Sequence, residues 1–179
     1  MTPLPTTKPD AFAQARQGDK TAFEALVIGH ERLVLRTAWR LLGHREDAQD
    51  AAQEVFLRLY KNIRKLRDDT LLEAWLYRVT LNVCQDLRRK RSSTKQLVDG
   101  GQAATPEHGI QLEQQTQAMT ALIAELPDKE RAALVLREIE GLSTREVAGI
   151  LGSSEVTVRT QVSSARSKLK AWISEGRKR

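Results

Sequence analysis

Residues 141–169 read GLSTREVAGILGSSEVTVRTQVSSARSKL, and this stretch predicts two helices separated by a glycine turn. Ser143 and Glu146 have the spacing of a capping box, which starts a helix. Gly152 can adopt the left-handed conformation that ends that helix. The two serines that follow supply N-cap oxygens for a second helix, with Glu155 in its first turn.

The second predicted helix has one buried face, because Val158, Val162, Ala165 and Leu169 recur at helical spacing. A capped helix, a glycine turn and a longer polar helix together predict a helix-turn-helix, whose second helix enters the DNA major groove. The alternative is an ordinary helical hairpin that binds no DNA. The polar side chains of the second helix are Glu155, Thr157, Arg159, Thr160, Gln161, Ser163, Ser164, Arg166 and Lys168.

Composition limits the class of protein. The 179 residues carry a net charge of +6 with a pI of about 9.7, which is compatible with an anionic partner. The single cysteine, Cys84, excludes an internal disulfide. No apolar run reaches membrane-spanning length and no signal peptide is recognisable, so we expect a cytoplasmic protein without membrane insertion. A metal site would have to use His44, Asp47, Asp50 and Glu54, and a single helix face rarely closes a coordination shell. We therefore expect no metal, and we expect no cofactor.

Hydrophobic periodicity predicts an all-α protein with two small helical domains joined by a flexible linker. The predicted boundaries are a disordered tail at 1–9, a first domain at 10–91, a linker at 92–112 and a second domain at 113–175. The linker is assigned because this stretch is rich in Ser, Thr, Gly and Gln and lacks apolar periodicity.

The helix predicted from Arg45 to about Leu66 is acidic in its first half and basic at its far end. This gradient complements the helix dipole, which gives it a purely structural explanation. The functional alternative is a docking face for a basic partner. Its candidate residues are Asp47, Asp50, Gln53 and Glu54.

A further helix, predicted from Leu71 to Arg91, ends in the run Arg88-Arg89-Lys90-Arg91. The density of charge favours phosphate contact, and the alternative is a solvated helix end. Trp75 lies on the apolar face and is expected to be a core residue.

In combination these features resemble the small, two-domain RNA polymerase sigma factors of the extracytoplasmic-function (ECF) type. Order and spacing make the resemblance specific, and it covers nearly all of the chain outside the tail and linker. Four stretches carry it: Phe23-Glu24-Ala25-Leu26 onward, Glu46 through Phe56, Ala74-Trp75-Leu76-Tyr77-Arg78-Val79, and Leu126-Pro127 through Leu169.

The resemblance implies that the first domain binds core RNA polymerase and the promoter −10 region, while the second binds the −35 element. The acidic face Asp47, Asp50, Gln53 and Glu54 would bind the clamp helices of the largest polymerase subunit. The −10 DNA-binding residues would be Arg64, Lys65, Arg67, Asp68, Asp69, Thr70, Asn82, Arg88, Arg89, Lys90 and Arg91. The −35 DNA-binding residues would be Glu155, Thr157, Arg159, Thr160, Gln161, Arg166 and Lys168. An anti-sigma factor is the regulator that the resemblance implies.

Two departures from the family pattern affect these expectations. Gln161 and Ser164 stand where basic residues are usual, which predicts weaker backbone attraction at the −35 element. Leu72 stands where an aromatic residue is common ahead of Trp75.

Two other classes of protein remain as alternatives. A stand-alone helix-turn-helix regulator would leave the acidic face without a role, and a nucleic-acid-processing enzyme would need a nucleophile–base pair or metal cluster that the sequence lacks.

Overall fold

A computed structural model describes residues 8–67, 69–95 and 111–176, and these residues form helices and turns without any strand. This confirms the all-α prediction. The helices are α1 (Lys8–Gln17), α2 (Lys20–Leu42), α3 (Arg45–Asn62), α4 (Leu72–Lys95), α5 (Gln111–Glu125), α6 (Asp128–Leu134), α7 (Thr144–Leu151) and α8 (Glu155–Gly176). Short 3₁₀ turns at Ile63–Lys65 and Asp69–Leu71 connect α3 to α4, and a π-helical segment at Val135–Ile139 continues α6.

Local capping explains where the long helix α2 begins and ends. Asp19 accepts a hydrogen bond from the Ala22 amide at 2.9 Å and starts α2. Gly43, at φ 79°, ends the same helix in the left-handed conformation. The close approach of Ala124, whose Cβ would lie 3.3 Å from a Cβ at position 43, also favours glycine there.

Some boundaries differ from the predicted ones. α1 begins at Lys8, so the helix includes two residues of the predicted tail, and residues 1–7 lie outside the described part of the chain. α4 continues to Lys95 and α5 begins at Gln111, so the helices take up both ends of the predicted 92–112 linker. The part between them, 96–110, lies outside the described residues.

The first unit is built by α1 to α4, which pack their apolar faces together. Small residues of α3 allow α2 and α4 to approach closely. His30 is buried and its Nδ1 lies 2.8 Å from the carbonyl oxygen of Leu26, so it is a core residue. The core residues of α3 are Ala48, Ala51, Ala52, Val55 and Leu59.

The second unit is built by α5 to α8. α6 and α7 both pack on α8, burying Val147 and Val158 completely. Its buried residues and those of the first unit form one contiguous apolar cluster. The two predicted domains are therefore packed together in this structure, mainly through α2 against α5 and α4 against α7.

Polar contacts reinforce that packing. Arg78 on α4 donates to the carbonyl oxygens of Gly149 at 2.8 Å and Ile150 at 3.2 Å, near the end of α7. Helix ends leave carbonyl groups without helical partners, so an arginine from another element can satisfy them. Arg36 on α2 forms an ion pair with Glu140 of the second unit.

Burial shifts the pKa of ionisable groups at this junction. Burial raises the pKa of Tyr77 to about 12, and the nearby Glu140 carboxylate acts in the same direction. Burial lowers the pKa of Arg131 to about 10, yet its guanidinium still donates to the Leu41 carbonyl oxygen at 3.2 Å and pairs with Asp128. A buried cation from α6 thus binds the carboxyl end of α2.

Candidate nucleic-acid and protein interfaces

The helix-turn-helix is formed as the sequence predicts. Ser143 and Glu146 make both hydrogen bonds of the capping box, at 3.2 and 2.7 Å. Hydrogen bonds from the side chain and the backbone of Ser143 to the Glu146 carboxylate lower its pKa. Gly152 ends α7 at φ 62°, and Ser154 starts α8 by accepting a hydrogen bond from the Thr157 amide at 3.1 Å. The second helix is therefore held at a fixed angle to the first.

Several predicted −35 residues lie on the exposed side of α8. Thr157, Arg159 and Thr160 are exposed, while Glu155 is half-exposed and forms an ion pair with Arg159 at 3.0 Å. The hydroxyl of Thr160 donates to the Val156 carbonyl oxygen at 3.0 Å. These side chains are close enough along one helix to face the same few base pairs.

Other predicted −35 residues have different surroundings. Gln161 is half-buried beside the apolar stripe, and its Oε1 is buried without a hydrogen-bond partner. The ammonium group of Lys168 binds both carboxylate oxygens of Glu130 at 2.8 Å. Arg166 pairs with Glu138 but keeps its side chain largely exposed. Lys168 thus has a structural partner within the second unit, whereas Arg166 remains accessible to phosphate.

The connection between α3 and α4 lies at the surface. Arg64, Lys65 and Arg67 are exposed, Asp69 is half-buried, and Leu71 is 57% exposed. Leu72, the residue that departs from the family pattern, is buried in the core. All of Asp68 and the side chain of Thr70 lie outside the described residues. An exposed segment rich in cations can accept an unpaired nucleotide.

The last turns of α4 carry the second group of predicted −10 residues. Asn82, Arg89, Lys90 and Arg91 are exposed. The guanidinium of Arg91 is 2.6 Å from a carboxylate oxygen of Asp47. Arg88 lies 3.6 Å from Asp128 of the second unit. In this arrangement, two of the predicted phosphate-binding cations are therefore engaged by carboxylates.

The predicted acidic face on α3 is only partly available. Asp50 and Gln53 are exposed. Glu54 is half-exposed and pairs with Arg58 at 2.7 Å. Asp47 is turned toward Arg91. Asp50 and Gln53 are therefore the residues of this set that most freely face solvent.

Sequence reasoning missed an apolar groove beside that face. The groove runs between α2 and α3 and has a volume of about 690 Å³. Leu57 and Tyr60 remain more than half exposed, and the Tyr60 ring contacts Phe23 edge-on at 5.2 Å. Leu57 and Tyr60 lie outside the buried stripe of α3. Large apolar residues at such positions are the one sign of this groove in the sequence. The lining residues are Phe23, Val27, Glu31, Leu35, Gln49, Ala52, Gln53, Phe56, Leu57 and Tyr60.

Comparison with known proteins decides the family. Residues 26–94 match Sigma-70 region 2, and residues 116–169 match Sigma-70, region 4. The ECF RNA polymerase sigma factor SigW of Bacillus subtilis is 30% identical over 174 residues, covering 89% of this chain and 93% of that protein. The chain belongs to the ECF family of RNA polymerase sigma factors. The ECF RNA polymerase sigma-E factor of Escherichia coli K12 is likewise 30% identical, covering 86% of this chain and 87% of that protein.

Two solved structures have a similar fold. CnrH in complex with the cytosolic domain of CnrY matches this sigma factor with a TM-score of 0.72 and 26% identity, covering 93% of this chain and 97% of that one. The sigma factor RpoE of Bartonella quintana, in complex with the anti-sigma factor NepR, matches in fold with a TM-score of 0.69 and 23% identity. That alignment covers 85% of this chain and 96% of the Bartonella chain.

Family membership confirms the expected function as a transcription initiation factor that acts with RNA polymerase at promoters. A stand-alone regulator is not favoured, because region 2 is present together with region 4. Among the described residues, no group of three or more His, Cys, Asp or Glu side chains could hold a metal ion. None of the described helices combines the length and apolarity needed to cross a bilayer.

Proposed function

We propose that this sigma factor divides promoter recognition between its two units and binds core polymerase through the α2–α3 side of the first. The observation that carries the proposal is that three accessible surfaces lie on separate elements. They are the acidic and apolar side of α3, the cationic connection ahead of α4, and the exposed face of α8. The protein supplies binding and positioning, and the nucleotidyl-transfer chemistry belongs to core polymerase. This function requires a cytoplasmic location.

The clamp helices of the largest polymerase subunit are the proposed partner of α3. Asp50 and Gln53 supply exposed polar contacts, and the neighbouring groove offers Leu57 and Tyr60 for burial. An apolar centre with a polar rim is the usual anatomy of a protein interface. Glu54 extends the acidic rim of this surface. Asp47 belongs to the same acidic face, and its carboxylate forms an ion pair with Arg91.

Promoter opening would use the connection from Arg64 to Thr70. Bases leaving the duplex need a cavity or platform and nearby cations to retain the strand. Arg64, Lys65 and Arg67 supply exposed charge there, and Asp69 and Asn82 are the proposed hydrogen-bonding groups. The duplex just upstream would be held by Arg88, Arg89, Lys90 and Arg91. The proposed −35 residues are Glu155, Thr157, Arg159, Thr160, Gln161, Arg166 and Lys168.

Reading both elements at once requires the two units to separate. The −10 and −35 elements are about 25 base pairs apart, which is about 85 Å of duplex. A compact chain of this length has a radius of gyration of about 16 Å, so its surfaces cannot span that distance. Fully extended, the segment 96–110 can reach about 50 Å. Opening of the junction between α4 and α7 is therefore part of the proposed cycle.

An anti-sigma factor is the proposed regulator. The Bartonella quintana relative in fold is bound to one in its solved structure. A regulator that covers α3 would block core polymerase, and one that holds the units together would prevent the two promoter elements from being bound at once.

Co-purification with core polymerase tests the proposal. Replacing Asp50 and Gln53 together by arginine reverses the polarity of the α3 face, and we expect core binding to fall at least tenfold. The matched control is Glu175→Arg, which also introduces an exposed cation but lies in the last turns of α8. Binding of the double variant at the level of the control would refute the α3 assignment. Absence of binding by the unmodified protein would refute the sigma function itself.

A further inference from the structure

An exposed aliphatic side chain lies in the first turn of the recognition helix. Val156 is the second residue of α8 and is 67% exposed. Residues near the amino terminus of a helix-turn-helix recognition helix are the ones that contact base edges. Val156 therefore occupies a position from which side chains reach into the major groove.

Helix periodicity places Val156 on the same side as two predicted base-reading residues. Positions three and four apart are neighbours on a helix surface, so Val156 lies beside Arg159 and Thr160. Both of those residues are exposed. The opposite side of α8 is anchored in the core by Val158 and Val162. The orientation of Val156 is therefore fixed by the packing of its own helix.

The polar groups around Val156 already have partners within the protein. Glu155 pairs with Arg159 at 3.0 Å, and the Thr157 and Ser154 hydroxyls are 2.8 Å apart. Val156 offers only methyl groups. In the major groove, the apolar feature that such a side chain can contact is the C5-methyl group of thymine.

Exposed single valines are common on protein surfaces, and the helical position of this one distinguishes it. A β-branched residue is less favourable than alanine in a helix, and an exposed one gains no burial in the free protein to offset this. Contact with a thymine methyl would provide that burial in the DNA complex.

We infer that Val156 is a specificity-determining residue whose isopropyl group contacts a thymine methyl in the −35 element. The inference rests on the proposed function, because it requires α8 to enter the major groove there. It also predicts that the preferred −35 element contains a thymine for which uracil is a poor substitute.

The test uses holoenzyme assembled from the full-length protein and core polymerase. A −35 duplex is first selected from a randomised library by the unmodified holoenzyme. Each thymine of that duplex is then replaced in turn by deoxyuridine, which lacks only the C5-methyl group. We expect one replacement to weaken binding about fourfold, the effect of removing one methylene-sized group from an apolar interface.

A Val156→Ala holoenzyme should bind the thymine duplex about fourfold more weakly and be indifferent to deoxyuridine at that position. The matched control is Ile28→Ala, because Ile28 is also 67% exposed but lies on α2. This control should keep the full response to deoxyuridine. Circular dichroism of both variants verifies that the fold is retained.

Three results would overturn the inference while leaving the sigma function intact. They are a selected element without thymine, a selected element unaffected by deoxyuridine at every position, and a Val156→Ala variant with the unmodified response. The last would assign the methyl contact to another residue, such as Thr157. Binding that does not depend on the −35 sequence at all would overturn both the inference and the −35 part of the proposed function.

Discussion

Arg131 illustrates how a single side chain connects the two units. Its side chain is 2% exposed, and it donates to the Leu41 carbonyl oxygen while pairing with Asp128. Burial opposes its charge and lowers its pKa to about 10, so it remains a cation at neutral pH. A buried cation with hydrogen-bond partners is costly to leave unpaired, which favours keeping α2 and α6 together. Sequence periodicity gave no sign of this residue, because arginine on a helix is normally assigned to solvent.

At the same scale, Glu146 should give the helix-turn-helix a measurable acid sensitivity. Its folded pKa is lowered from 4.5 by hydrogen bonds from Ser143. The unfolded chain therefore takes up the proton first as pH falls. The stabilisation is fully present above pH 4.5 and is lost as pH falls through the lower, folded pKa.

Glu146→Gln tests this expectation, since glutamine can complete a capping box but cannot titrate. Urea denaturation between about pH 6 and pH 3 should show a smaller loss of stability for this variant than for the unmodified protein. The control is Glu175→Gln, which alters an exposed glutamate outside the capping box. Equal acid sensitivity of the Glu146→Gln variant and the unmodified protein would remove Glu146 as the cause.

At the scale of elements, the sequence predicted best what is encoded locally. The Ser143–Glu146 box and Gly152 act within a few residues of themselves, and the structure confirms both. The end of α3 was less well predicted. The helix stops at Asn62 rather than near Leu66, and a 3₁₀ turn follows, although the apolar pattern continues through Ile63 into the core.

The sequence could not reveal surfaces that depend on two elements. The groove beside α3 combines Leu57 and Tyr60 with Phe23 and Val27 of α2, and periodicity reports only the face of each helix separately. Val156 was overlooked for a different reason, because polar residues alone were considered for base reading. The acidic partners of Arg88 and Arg91 likewise depend on tertiary packing.

The basic end of α4 makes a prediction at this scale. Replacing Arg88 and Arg89 by alanine should lower the salt dependence of promoter binding by the holoenzyme, by about one unit of slope for each phosphate that is no longer neutralised. The measurement is promoter affinity over a range of salt concentrations. The charge-matched control replaces Lys20 and Arg32, which are exposed on α2, by alanine. A salt-dependence slope equal to that of the control variant would indicate that Arg88 and Arg89 belong to a solvated helix end and do not contact phosphate.

At the scale of the whole molecule, the structure is a closed arrangement of two units, and the proposed cycle opens it. Arg78, Arg36 and Arg131 all donate across the junction. Hydrogen bonds from charged groups contribute about 1.5–3 kcal/mol each, so a few of them can bias the chain toward the closed form. The second unit also supplies Asp128 to Arg88, and the proposed phosphate contact of Arg88 would replace that carboxylate.

Weakening the junction should expand the free protein. A variant with Arg78→Ala and Glu140→Ala loses the bonds to α7 and the ion pair with Arg36, and we expect a larger radius of gyration by small-angle X-ray scattering. The control removes the Arg166–Glu138 pair, which lies within the second unit. Identical scattering curves for the junction variant and the unmodified protein would show that these contacts do not hold the two units together.

Cys84, the only cysteine of the chain, lies at this same junction beside Arg88, Arg131 and Ala132. It is 2% exposed, and burial raises the pKa of its thiol to about 12. The thiolate is the nucleophile that attacks an alkylating reagent, so this sulfur should react very slowly while the two units are packed together. The rate at which a maleimide modifies Cys84 therefore measures how often the two units separate. This rate can be compared with and without polymerase, DNA or an inhibitor.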